Sequence, residues 1–201
     1  MRFRIFLLLA CCLLIPVTGI TSDTAPEALV RDTSSRMLIA LKEEKALIEK
    51  DKSRIYALVS DIVLPYFDFR RMAMWALGRH WHAASLEQRE RFVTEFREML
   101  VRTYGSALAD YSDEKIVFLP LHSETGAKDV TVRTEIERAG GPVIQITYSM
   151  YLLDDGWKVY DVAIDGVSLV TNYRTTFASI IRKEGMDALI KQLQDRNGNP
   201  G

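Results

Sequence analysis

After Asp113 the hydrophobic pattern changes period, and that switch limits the folds open to this chain more than any other feature of its 201 residues. Before it, apolar residues recur at helical spacing; beyond it they alternate, which is the pattern of a half-buried strand. Lys115 to Leu121, Val130 to Glu137, Val143 to Leu152 and Trp157 to Ile164 read as four strands. In the second, Val130, Val132, Thr134 and Ile136 face one way while Thr131, Arg133, Glu135 and Glu137 face the other, so one side of the sheet meets water. Ile144, Ile146, Tyr148, Met150 and Leu152 repeat the alternation. Gly140-Gly141-Pro142 and Asp154-Asp155-Gly156 are turn-length connections, so the strands form an antiparallel meander. Helical segments lie on both sides of it in sequence. The expected fold class is therefore α+β: a four-stranded antiparallel sheet wrapped by about five to seven helices.

The helical half carries its own boundary signals. Leu29, Met37, Leu38, Leu41, Leu47 and Ile48 keep helical period from Pro26 to Glu49, with Thr24 as a cap and Pro26 in the first turn. Ser53 to Val63 forms a second helix and stops before Pro65. Asp68 caps a short, unusually apolar third helix, "FRRMAMWAL", which Gly78 ends. His80-Trp81-His82 then falls in an interhelix loop. Ser85 with Gln88 makes a capping box for an amphipathic helix running to about Tyr104. After the sheet, Asp165-Gly166 turns the chain into a helix from Ser168 to Glu184, with Gly185 as its stop. A last amphipathic turn or two passes through Leu189, Ile190 and Leu193, and residues 196–201 read as a disordered polar tail.

The N-terminus reads as an export signal. Arg2 and Arg4 precede the apolar run Ile5 to Ile15, which is too short to span a bilayer. Cleavage is expected between Ile20 and Asp23, so residues 1–22 are a signal peptide and 23–195 a single domain. Both cysteines, Cys11 and Cys12, lie in that leader, which leaves the mature chain without a thiol or a disulfide. Leu8-Leu9-Ala10-Cys11 also resembles a lipoprotein processing box, so a lipid anchor on Cys11 stays open as an alternative. Without Arg2 and Arg4 the chain keeps 24 Lys+Arg against 27 Asp+Glu, a net charge of −3 that gives no footprint for nucleic acid.

Chemistry is hard to place on this sequence. On a helix His80 and His82 project about 200° apart, and nothing locates a third ligand beside them, so Trp81 and one ring are expected to wedge two helices together. No nucleophile elbow, phosphate loop or dinucleotide fingerprint occurs. Ser168 sits where a helix cap belongs. Asp161, in "WKVYDVAI", shares a strand face with Trp157, Val159 and Ala163 on simple alternation. It reads either as a general base of a small isomerase or dehydratase, or as a structural carboxylate bonded to Arg or to helix N–H groups. What remains is an excess of apolar residues in the third helix, where Met72 and Met74 suit contact with a flexible apolar ligand, or an ordinary core.

Four ordered stretches, "VLPYFDFRRMAMWALGRHW", "QRERFVTEFREMLVRTYGSAL", "GWKVYDVAIDGVSLV" and "IIRKEGMDALIKQL", together resemble the toluene-tolerance family of periplasmic phospholipid-binding proteins, from about Glu27 to Asp195. Tyr160-Asp161 followed by Asp165-Gly166-Val167-Ser168 is the most specific part; Leu64-Pro65-Tyr66, Leu77-Gly78, Gln88-Arg89-Glu90 and Tyr104-Gly105 add to it. The resemblance implies a sheet like that of nuclear transport factor 2 and an apolar cleft between sheet and helices that holds the acyl chains of a diacyl phospholipid. It implies a periplasmic location, no cofactor and no reaction. It also implies an inner-membrane ABC transporter complex with an MCE-domain protein and an outer-membrane lipoprotein–porin complex as partners. His80 and His82 stand where relatives can carry Tyr and Lys, which argues against an obligatory metal there.

Periodicity then selects lining residues for that cleft: Leu64, Phe67, Met72, Trp75 and Ala76, with Phe92 and Phe96 from the long helix. The sheet contributes Ile146, Tyr148, Tyr160 and Val162, and the segment after the Asp165-Gly166 turn Val167, Val170 and Tyr173. Trp157, Val159 and Ala163 are the alternative to Tyr160 and Val162. Arg36 to Tyr104 carries 13 basic against 10 acidic residues, which makes Arg79, Arg89, Arg91 and Arg97 the candidates for partner docking of a monomer.

Overall fold

The computed structural model describes residues 25–106, 108, 114–122, 126–138 and 140–198. The leader with Cys11 and Cys12, the cap expected at Thr24 and the last residues, 199–201, lie outside the described residues. Helices fill the first half: α1 (Pro26–Glu43), α2 (Lys45–Lys50), α3 (Arg54–Ile62), a 3₁₀ turn (Leu64–Tyr66), α4 (Phe69–Leu77), α5 (Arg79–Ala83) and α6 (Leu86–Gly105). Strands β1 (Lys115–Phe118), β2 (Asp129–Glu137), β3 (Ile144–Leu153), β4 (Gly156–Ile164) and β5 (Val167–Ser168) follow, then α7 (Leu169–Glu184) and α8 (Met186–Gly198). The sheet is an antiparallel meander in the order β1-β2-β3-β4-β5. The α+β class is as expected, and the additions are local: a fifth, two-residue strand, a break in the first helix, and a helix where a loop was expected.

Each addition has a physical origin. The long first helix divides at Glu44, so that Ile48 on α2 turns inward beside Met37, Leu41, Ile55 and Val59. β5 exists because Asp165 (φ 48°) and Gly166 (φ 80°) both take positive φ, which makes the tight reversal that folds Val167 and Ser168 back on Ile164 and Ala163. The segment after Gly78 is helical because this glycine (φ 54°) redirects the chain without ending helical hydrogen bonding for long. Gly78 also lies under the Arg174 guanidinium, where a Cβ would come within 2.8 Å of Nη2. The tail is shorter than expected. Arg196, Asn197 and Gly198 belong to α8, and Asn197 is buried, donating to the Glu95 carbonyl at 3.0 Å and to its carboxylate at 2.8 Å. A polar tail end is thus held by a polar pair that sequence pattern does not reveal.

Two apolar clusters hold the molecule. The larger joins the sheet residues Val130, Val132, Met150, Val159 and Val162 to α4, α6, α7 and α8. At its centre Phe92, Phe96, Tyr173 and Phe177 form an aromatic cluster with ring centroids 5.4–5.9 Å apart. The smaller cluster ties α1, α2 and α3 to α6 through Val101. Three caps read from sequence are made: Asp68 accepts from Arg71 N at 2.8 Å, Ser85 and Gln88 form both bonds of the capping box, and Ser168 accepts from Thr171 N at 3.0 Å.

Candidate functional site

The inward residues of α1 lie one or two helical turns apart on one face: Leu29, Val30, Thr33, Met37 and Leu38. Below them, across-strand partners share a sheet face, and Ile136, Ile146, Tyr148, Met150 and Val159 form a floor. Val63, Tyr66 and Phe67 around the 3₁₀ turn close one end. The space is about 210 Å³, and among the described residues no charged side chain lines it. Its polar atoms are the Thr33 and Ser34 hydroxyls and two phenols, of which Tyr66 receives a 3.4 Å hydrogen bond from Arg36. Tyr148 is pushed to a higher pKa by burial, the Thr134 hydroxyl working against the rise, so the cleft stays uncharged at neutral pH.

A β-bulge decides which residues reach that floor. Ser149 pairs with Asp161 and Met150 with Val159, so Tyr160 is an extra residue on β4 without a cross-strand partner. The bulge reverses the alternation: Val159, opposite Met150, and Val162, opposite Tyr148, share one sheet face, on which Val159 lines the cleft and Val162 belongs to the central core. Asp161 consequently does not share a face with Trp157 and Val159, as simple alternation had it. Tyr160 instead packs on Trp75 and Tyr151 at 5.2 and 5.7 Å and donates its hydroxyl to Asp129 at 3.1 Å.

Of the residues expected from periodicity, Phe67, Ile146 and Tyr148 line the cleft. Leu64 joins Phe67 in a second, outer groove of about 360 Å³. Met72, Ala76, Phe92, Phe96, Val162 and Val170 are buried in the central core, and Tyr173 packs against it. Trp75 and Val167 are among the exposed large hydrophobics, at 44% and 56%. Sequence reasoning found α1 as a helix but did not place it at the site, because helical period shows which residues turn inward and not what they turn towards.

The arginines separate by surroundings. Arg89 is held at the α5 joint: its Nε donates to the Trp81 carbonyl at 2.8 Å, Nη2 to that of His82 at 3.2 Å, and the guanidinium lies 5.3 Å from the Trp81 ring. Arg91 faces Asp187 at 3.5 Å, Arg97 lines the outer groove, and Arg79 is exposed. Trp81 itself is buried in the core, between α4 and α6. His80 Nε2 is buried without a hydrogen-bond partner, and its pKa is lowered by burial and by Arg79 and Arg182, whereas His82 is exposed. Among the described residues no group of three His, Cys, Asp or Glu could hold a metal. Replacing both histidines by Gln is expected to shift the melting temperature little and to leave ligand binding intact; Trp81→Ala removes a buried indole and costs ~3–5 kcal/mol in a denaturant melt.

Asp161 is a structural carboxylate. Its Oδ2 accepts the Ser168 hydroxyl at 2.6 Å and its Oδ1 accepts Val170 N at 3.3 Å, fixing the N-terminus of α7. Asp161→Asn is expected to lower stability by ~1 kcal/mol with no change in ligand occupancy. The other shifted groups are phenols. Burial, with Tyr173 adding to it, pushes Tyr104 up to about 12, and Tyr151 and Tyr160 are raised by burial and by Asp68 and Asp129 respectively. Since the folded pKa values exceed the unfolded one near 10, this contribution is complete below pH ~10 and is lost as pH rises towards ~12. Unfolding followed by circular dichroism across that window should show stability falling as the tyrosines ionise.

The fold and cleft define a small α+β protein that can shelter an apolar molecule, with no acid–base pair among the described residues that line the space. The family model described as "MlaC protein" matches residues 31–195, and the chain belongs to the MlaC family. It is similar to the intermembrane phospholipid transport system binding protein MlaC of Haemophilus influenzae, 27% identical over 202 residues that cover 98% of this chain and 94% of the relative. It is also similar to toluene tolerance protein ttg2D of Pseudomonas putida, 26% identical over 173 residues, covering 86% and 80%. A solved phospholipid-binding protein from Ralstonia solanacearum, in complex with a phospholipid, superimposes with a TM-score of 0.80 at 30% identity, covering 86% of this chain and 96% of that one.

Proposed function

We propose that this chain is a soluble periplasmic carrier that takes the acyl chains of a phospholipid into the cleft under α1 and shuttles the lipid between inner and outer membrane. The observation that carries this reading is a space between α1 and the sheet whose described lining residues are all uncharged and mostly apolar. The likeness to a phospholipid transport binding protein and to a phospholipid-bound structure supports it.

The energetics favour binding without chemistry. A buried methylene is worth about 0.8 kcal/mol, so two acyl chains of roughly 15 methylenes each would cost on the order of 24 kcal/mol in water. A cleft that replaces bilayer hydrocarbon with Leu, Val, Met and aromatic contacts makes extraction nearly neutral. The space of about 210 Å³ is below the ~300–1,000 Å³ of sites for drug-sized ligands, so loading requires α1 to lift from the sheet. Such movement is inexpensive where the wall is apolar, because acyl chains restore the contacts that α1 gives up. No helix among the described residues is long and apolar enough to cross a membrane.

Direction comes from partners with different affinities for loaded and empty carrier. The partners proposed are an inner-membrane ABC transporter complex with an MCE-domain protein and an outer-membrane lipoprotein–porin complex, met by a monomer. Arg79 and Arg91 are the arginines left for such docking, because Arg89 is held on Trp81 and Arg97 lines the outer groove. Transfer of labelled phospholipid from donor to acceptor vesicles is expected to rise in proportion to added protein. A rate equal to that without protein would remove the carrier reading.

A further inference from the structure

We infer that the outer groove is the seat of the lipid's phosphate-bearing headgroup, with Arg97 and Lys158 as its cationic contacts and Phe67 as the partition between headgroup and tails. This rests on the carrier reading and adds a second, charged subsite to it. Phe67 is the residue that lines both spaces, the uncharged cleft of about 210 Å³ and the groove of about 360 Å³. Its ring stacks on Phe69 at 5.7 Å, and its backbone bridges to Val159 at the edge of β4. The main chain is therefore fixed while the side chain separates two neighbouring cavities. A rotamer change at one ring joins them without unfolding any element.

The chemistry of the two spaces differs in the way an amphipathic ligand requires. Among the described residues, charged side chains line only the groove: Arg97, Lys158 and Asp68. Asp68 is engaged, its carboxylate accepting from Arg71 N and from the Tyr151 hydroxyl. Arg97 is exposed and forms no ion pair with a described residue. The Lys158 ammonium reaches the Pro65 carbonyl at 3.2 Å and Asp155 at 3.1 Å. An ammonium has three donors, so one remains for a ligand oxygen. Leu64, Phe69, Val93, Thr94 and Leu153 complete the groove, so it is a cationic rim on a mostly apolar wall and suits a phosphodiester at the end of acyl chains.

The test compares ligands with and without the phosphate. Wild type and the variants Arg97→Gln and Arg97→Gln/Lys158→Gln are incubated with vesicles of phosphatidylethanolamine and phosphatidylglycerol, or with vesicles doped with diacylglycerol, and bound lipid is counted by native mass spectrometry. Loss of charge-assisted contacts should reduce phospholipid retention about tenfold in Arg97→Gln and further in the double variant, with diacylglycerol uptake unchanged. Phe67→Ala should speed both loading and release. Inorganic phosphate titrated into lipid-free protein should leave the phosphorus resonance unchanged; saturable binding there would reassign the groove to free phosphate. Equal retention of phospholipid by wild type and Arg97→Gln would overturn the inference while leaving the carrier reading standing. If wild type took up neither lipid, the carrier reading itself would fall.

Discussion

Ile146→Asp should empty the cleft. Ile146 lies on the floor, paired with Thr134 and Ile164 on the neighbouring strands, and its side chain faces the space beneath α1. A carboxylate there has no cation among the described lining residues, so acyl chains packed over it would bury an unpaired charge. The cost is at least ~3 kcal/mol, or roughly a hundredfold in lipid affinity. Ile146 is half-buried rather than part of the fully enclosed core, so the variant is expected to fold, with a lowered melting temperature. Ile146→Val keeps the cleft apolar and should retain the lipid. Occupancy measured on both proteins, beside their thermal melts, separates a lost binding surface from a lost fold.

Phe96→Ala should do the reverse. Phe96 is fully buried, stacks on Phe92 at 5.5 Å and meets Phe177 and Tyr173 edge-on at 5.6 and 5.9 Å. Removing it costs ~3–5 kcal/mol, the lost ring–ring contacts included. In a domain of this size that lowers the melting temperature by roughly 6–20 °C. The cluster holds α6 to α7 and no member of it lines the cleft, so lipid stoichiometry below the melting transition should match wild type. Loss of lipid by a folded Phe96→Ala protein would place the aromatic cluster in the binding surface instead.

The contrast between these residues shows what a sequence can carry. Asp68, Ser85 with Gln88, and Ser168 announced their helices because a cap is a contact between residues three apart, and the structure makes each one. The alternation of Val130, Val132 and Thr134 gave the buried face of β2 for a similar reason. Tyr160 defeats that logic. Nothing in "WKVYDVAI" marks an extra residue, yet one unpaired position exchanges the faces of everything after it and moves Asp161 away from Val159. Phe92 and Phe96 illustrate a second limit. They turn inward at helical spacing as expected, but inward on α6 means towards α7, whereas inward on α1 means towards the sheet. Which surface a helix covers is settled by tertiary packing, and the cleft wall made by Leu29, Val30 and Met37 was legible as a helix face and not as a site.

The whole reading rests on a lipid held under α1. Native mass spectrometry of the mature protein, purified without detergent from cells, should show a single stoichiometric adduct with the mass of a diacyl phospholipid, released by activation in the gas phase and absent from Ile146→Asp. A clean apo mass that gains nothing after incubation with phosphatidylethanolamine and phosphatidylglycerol vesicles would contradict it.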